Sequence, residues 1–193
     1  SRRPEWWIPV GLIALTLVPA AAGVFRIGQL ASGAEVTAEN QRFFDAPAPV
    51  VVHIVGAVVF CGLGAFQFMP SFRRRHPRWH RRSGRVLLMA GMAAALSGLW
   101  MTVRYDLLDT DNWFLMGQRL LFGGLMAAGL VLAYAAIRRR DVVTHRRWML
   151  RAYAVAQGAG TQALVLGPVA LLVSSPGAWT KATGMGVAWM INL

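Results

Sequence analysis

The chain has 193 residues, of which 56% are hydrophobic and 15% charged, yet its formal net charge is +12. Soluble domains carry about a quarter charged residues, so this composition excludes a disordered chain and argues against an ordinary soluble enzyme. Cys61 is the one cysteine, which excludes an internal disulfide framework, and the class left is a polytopic membrane protein with a mean hydropathy of +0.46.

The first run without Asp, Glu, Lys or Arg covers 6–25 and follows Arg2 and Arg3. Its length, and the apolar Val24 and Phe25 at its end, set it apart from a cleaved signal peptide. It predicts a span over about 6–26. The connection after it holds Gly28, Gly33, Pro47 and Pro49. Within it, 35–41 predicts a short interfacial helix, with Phe43 and Phe44 dipping among lipid headgroups. Crossing the hydrocarbon core takes about 20 apolar residues. The uncharged runs 46–72, 86–103, 120–137 and 152–180 therefore predict spans over about 49–70, 86–104, 115–137 and 148–174. A last run, 182–193, is too short to cross alone and predicts a partial sixth span. The expected fold is one all-α polytopic membrane bundle of six helices. Its eight tryptophans stand mostly near span ends, as an aromatic belt requires.

Thirteen of the 20 basic residues lie in two segments, Arg73 to Arg85 and Arg138 to Arg151. The alternate connections carry most of the acids: Glu35, Glu39, Asp45, Asp106, Asp109 and Asp111. The positive-inside rule then places both termini in the cytoplasm. The charge is a topology signal, and the arginines at membrane edges argue against nucleic acid as a partner.

The two basic segments share a pattern. Arg73-Arg74-Arg75 precedes His80-Arg81-Arg82, and Arg138-Arg139-Arg140 precedes His145-Arg146-Arg147, at a constant offset of 65 residues. The same offset aligns His53 with Gln118. Two related hairpins, spans two–three and four–five, would produce this pattern.

Polar groups inside spans are the default functional candidates. Near the outer ends stand His53, Gln118, Arg119 and Arg104, which would form a cationic, hydrogen-bonding pocket, with Asp106, Asp109 or Asp111 as partners for Arg104 or Arg119. Gln67, Gln157 and Gln162 lie deeper. Near the inner ends stand His80 and His145. A neutral imidazole from each of two helices can ligate a haem b, with His53 as a tentative further ligand. The arginines around them, Arg81, Arg82, Arg85, Arg146, Arg147 and Arg151, suit lipid phosphates. Cys61 reads as a small packing residue.

His53 followed by Gly56, Gly64-Ala65-Phe66-Gln67-Phe68, His80-Arg81-Arg82-Ser83-Gly84-Arg85 and His145-Arg146-Arg147-Trp148-Met149-Leu150-Arg151 together resemble a family of multi-pass bacterial membrane proteins, the domain of unknown function DUF2306. The resemblance covers about 46–193 and implies a bacterial inner-membrane location without implying a reaction. More loosely, histidines near span ends are similar to those of the membrane cytochromes b, although those place paired histidines inside facing helices. Three functions stay open: a haem b electron-transfer protein, a non-catalytic accessory subunit of a larger membrane complex, and a lipid or small-molecule carrier.

Overall fold

Helix α1 runs Trp7–Ser32 in the computed structural model, which describes residues 5–173 and 177–193. The flanking Arg2 and Arg3, and the expected end of the fifth span at 174, lie outside the described residues. α1 extends past the expected boundary at 26 because Arg26 is accommodated within it. Its Nη1 donates to Gln29 Oε1 at 2.7 Å and its guanidinium lies 4.5 Å from the Phe43 ring centre. Gly33 then stops the helix in the left-handed region, at φ 64°, with its amide bonded to the Gln29 carbonyl.

The short interfacial helix forms at Gln41–Asp45 (α2), not at 35–41. Asn40 is the reason. Its buried amide accepts from the Thr37 N–H at 2.7 Å and donates to the Glu35 carbonyl at 3.0 Å. Those backbone groups are thereby held in a turn and withdrawn from a helix. Phe43 meets Arg26, Arg42 and Tyr105 instead of reaching outward alone.

Three proline-started helices follow: α3 (Pro47–Gly64), α4 (Pro70–Arg75) and α5 (Pro77–Arg104), with a 3-10 turn at Ala65–Phe68 between the first two. Proline suits the first helical turn because its missing N–H needs no partner there. α5 begins nine residues before the expected span at 86, so Arg78, Arg81, Arg82 and Arg85 lie in its first turns. α6 (Trp113–Arg138) starts at Asn112, whose side chain accepts from the Leu115 N–H at 2.9 Å. α7 (Val142–Ala156) starts at Asp141, which accepts from the Thr144 N–H at 3.0 Å.

The fifth expected span is two helices, α7 and α8 (Gly158–Leu172), broken at Gln157. At Gly158 a Cβ would collide with the indole of Trp189, so the missing side chain admits that ring at the break. Trp189 belongs to α9 (Ala178–Asn192). Among the described residues, five helical stretches are long and apolar enough to cross a membrane: α1, Pro47–Phe68, α5, α6 and Val142–Leu172. α9, with 15 described residues, is not among them. The described residues form no strand.

α3, α5, α6 and α7 pack as a ring, each on the next and α7 back on α3. α1 covers α3 and α8, while α9 lies on α8, α6 and α7. The core holds Phe60, Leu87, Phe122, Met126 and Leu130. Small residues set close seams: a Cβ on Gly56 would stand 2.7 Å from the Ala90 carbonyl of α5, and one on Gly160 of α8 would collide with the Leu15 carbonyl of α1. The outer surface is apolar, with Met89 74% and Leu171 88% exposed, as lipid contact requires.

Candidate functional site

The ring leaves α5 and α7 on one diagonal, and each contributes a histidine near the arginine-rich end. His145 has Nδ1 2.9 Å from the Ala133 carbonyl of α6. A carbonyl only accepts, so Nδ1 is the donor here and Nε2 is the ring nitrogen left outside this bond. His80 lies within electrostatic reach of His145, Arg73 and Arg81. Its Nδ1 is buried without a hydrogen-bond partner, as is the Gln67 Oε1. Gln67 Nε2 donates to Ser83 Oγ at 2.7 Å, and Ser83 donates to the Trp79 carbonyl at 2.7 Å, which ties the 3-10 turn to α5 beside His80. Arg81, Arg82, Arg85, Arg146, Arg147 and Arg151 are all exposed. None has a carboxylate partner among the described residues. Arg151 stacks over Trp148 at 5.1 Å.

The four residues expected to share an outer pocket are distributed over four different contacts. Arg119 pairs with Asp111 at 2.9 Å. Gln118 is buried against Gly186 of α9 and its Oε1 finds no partner. Arg104 lines a cavity of about 220 Å³ near α2. His53 has Nδ1 2.8 Å from the Ala94 carbonyl of α5, and it lines a separate cavity of about 100 Å³ with Thr16, Cys61 and Gln157.

Asp111 has a second partner that sequence reading missed, Lys181 Nζ at 2.6 Å. Burial pushes its carboxyl upward, but Lys181 and Arg119 outweigh that and hold it below the ordinary carboxylate value. Nearby, burial lowers Arg42 from its ordinary value, assisted by Arg119 and Arg26 against an opposing Asp111.

The middle of the bundle carries a polar network around Gln157. Its amide donates to Tyr153 Oη at 2.9 Å and meets Thr16 Oγ1 at 3.3 Å, while Tyr153 donates to the Cys61 carbonyl at 2.6 Å. Beyond the break, Thr161 donates to Asn192 Oδ1 at 2.9 Å, and Asn192 donates to the Ala154 carbonyl at 3.1 Å. Gln157 stands out in the sequence as a polar residue in an apolar run. Thr16 and Asn192 offer no such signal.

Among the described residues no three His, Cys, Asp or Glu side chains converge as a metal group. A haem needs fewer, because the porphyrin supplies four nitrogens and leaves two axial positions. His80 and His145, within electrostatic reach of one another, are the two imidazoles at this end that such positions would call on. The orphaned His80 nitrogen and the carbonyl-oriented His145 ring are the observations that fit it.

Apolar crossing helices joined across their middle by the Gln157 network, with arginines gathered at one end, make this an integral membrane helix bundle. More particularly, the chain belongs to the family described as Predicted membrane protein (DUF2306), whose model matches residues 50–193. The match begins inside α3, so α1 precedes it. Neither the curated proteins nor the solved structures yield a match to the chain.

Proposed function

We propose that this is a six-span protein of the bacterial cytoplasmic membrane, termini inside, that holds a haem b between His80 and His145 for one-electron transfer. The observation that carries the reading is the pair of imidazoles on diagonal helices α5 and α7, one with a buried nitrogen lacking any partner. When bound, haem supplies a reversible iron couple. The chain's own residues bind and orient it. His145 presents Nε2 because Nδ1–H is held by Ala133, and the neighbouring arginines offer charge partners for haem carboxylates. His53 stands apart, since its Nδ1 is committed to α5 and Gln118, across the other diagonal, is turned to α9. The constant offset of the two His-Arg-Arg segments, and the tight packing of α3 on α5 and α6 on α7, support a pair of related hairpins.

The test is a reduced-minus-oxidised spectrum of the full chain purified in detergent from haem-replete cells. A b-type spectrum lost in both His80→Ala and His145→Ala is the expected result. A colourless wild-type protein ends the haem reading.

A second reading rests on the six exposed guanidinia without carboxylate partners: this end binds phosphates of anionic lipids. Charge removal at Arg81, Arg82, Arg146 and Arg147 then lowers retention of anionic lipid in native mass spectra, whatever the colour of the protein.

A further inference from the structure

The cavity of about 220 Å³ lies at the end of the bundle opposite the arginine-rich loops, between α2 and the last turn of α5. Four charged side chains line it: Arg42, Arg104, Asp45 and Asp106. No carboxylate lies within ion-pair distance of either guanidinium. The side chains of Arg104, Asp45 and Asp106 make no hydrogen bond to any described residue, and the Arg42 Nε is buried without a partner. Asp111, a few residues away, is fully paired with Arg119 and Lys181, so this end of the molecule does form ion pairs where geometry allows.

Backbone and ring contacts brace the walls of this space, while Asp45, Arg104 and Asp106 themselves are exposed. Tyr105 Oη donates to the Ala46 carbonyl at 2.6 Å, which pins the end of α5 to the start of α3. Phe43 and Trp100 each pack edge-on against Tyr105, at 5.5 and 5.7 Å. Arg42 Nη1 donates to the Asp106 carbonyl at 3.1 Å, which fixes that side chain across the mouth.

We propose that this cavity binds a small zwitterion, its phosphate or carboxylate on Arg42 and Arg104 and its ammonium on Asp45 and Asp106, beside the Trp100 ring. Unpaired charges of both signs around one open space match a ligand that carries both. The volume limits its size. Drug-sized ligands occupy about 300–1,000 Å³, so this space takes one headgroup or one amino acid. Trp100 stands near the end of a crossing helix, the position at which tryptophans of membrane proteins commonly meet phospholipid headgroups. The same chemistry therefore has two sources, the phosphoethanolamine head of a membrane lipid or a free zwitterion in solution.

The experiment uses the full chain in detergent, with phosphatidylethanolamine and phosphatidylglycerol as lipid probes and glycerophosphoethanolamine and glycerophosphate as soluble ones. Native mass spectrometry reads lipid retention, and Trp100 fluorescence, taken as the difference from Trp100→Phe, reads the soluble ligands. Binding of either ammonium-bearing probe, weakened about tenfold in Asp45→Asn/Asp106→Asn and in Arg104→Gln, supports the site. Retention of the lipid alone assigns a headgroup, and a response to the soluble probe alone assigns a free zwitterion. The proposal is overturned if the ammonium-bearing probes bind no better than their ammonium-free counterparts. Indifference to the double Asp variant overturns it equally. Should that variant fail to fold, the wild-type preference between the paired probes decides alone.

Discussion

Gln157 sits where a helix breaks inside an apolar layer, and its amide answers to three elements at once. It meets Thr16 on α1, Tyr153 on α7 and, through Tyr153, the Cys61 carbonyl on α3. Hydrogen bonds between membrane helices contribute about 0.6 kcal/mol on average and up to about 1.7. Gln157→Leu is therefore expected to lower stability by about 1 kcal/mol, read as a shifted midpoint in denaturant titration of detergent-solubilised protein. Asp111 offers a sharper case, since its side chain is fully buried and its two cations are partly exposed. Asp111→Asn is expected to cost about 1–3 kcal/mol, between the surface and buried limits for ion pairs. The sign with pH follows from its lowered folded value. The contribution is fully present above the ordinary carboxylate value of about 3.9 and fades as pH falls through the lower folded one. Melting temperatures of wild type and Asp111→Asn should thus differ at pH 7 and converge in strong acid. Residue chemistry was only half legible beforehand. Arg119 suggests a nearby acid, but Lys181 lies 70 residues from Asp111, on α9, and no local pattern links them.

At the scale of elements, uncharged runs locate the crossing helices because lipid punishes any unsatisfied backbone or charge. What they miss is structure on either side of that criterion. Arginine is a good helix former, and Pro77 suits a helix start, so α5 forms through a charged stretch that hydropathy reads as a connection. The break at Gln157 is invisible for the opposite reason, since both sides of it are apolar. Helix seams give the prediction here. A Cβ on Gly56 meets backbone of α5 at 2.7 Å, whereas one on Gly62 meets nothing within 4 Å. Gly56→Ala should force α3 from α5 and destabilise by about 1–3 kcal/mol, and Gly62→Ala on the same helix should leave the midpoint unchanged. Equal effects in the two variants would show that the α3–α5 seam is not the close contact described.

For the molecule as a whole, the two ends are chemically unlike. One carries His80 and His145 among guanidinia that have no carboxylate partner among the described residues; the other holds Asp111 with its two cations and a cavity of unpaired charges. Thiol-labelling of single cysteines placed at Arg74 and Asp109, in a Cys61→Ala background, should mark opposite sides of intact membrane vesicles. Labelling of both from one side would overturn the proposed six-span topology. The overall bundle was readable from charge placement, because each basic segment separates two apolar runs. The ring of α3, α5, α6 and α7 was not, because apolar periodicity gives no partner.

The arginine-rich end has a consequence for the history of each molecule. Carrying one elementary charge through a potential of 100 mV involves about 2.3 kcal/mol of electrical work. Thirteen guanidinia share two neighbouring segments. On an energised membrane, negative on their side, hauling them across together would demand on the order of 30 kcal/mol in field work alone. Dehydration in hydrocarbon would add to that. For a chain in the proposed orientation insertion is therefore a one-way event, because the field opposes any later reversal and would favour the turning over of a chain threaded in the opposite sense.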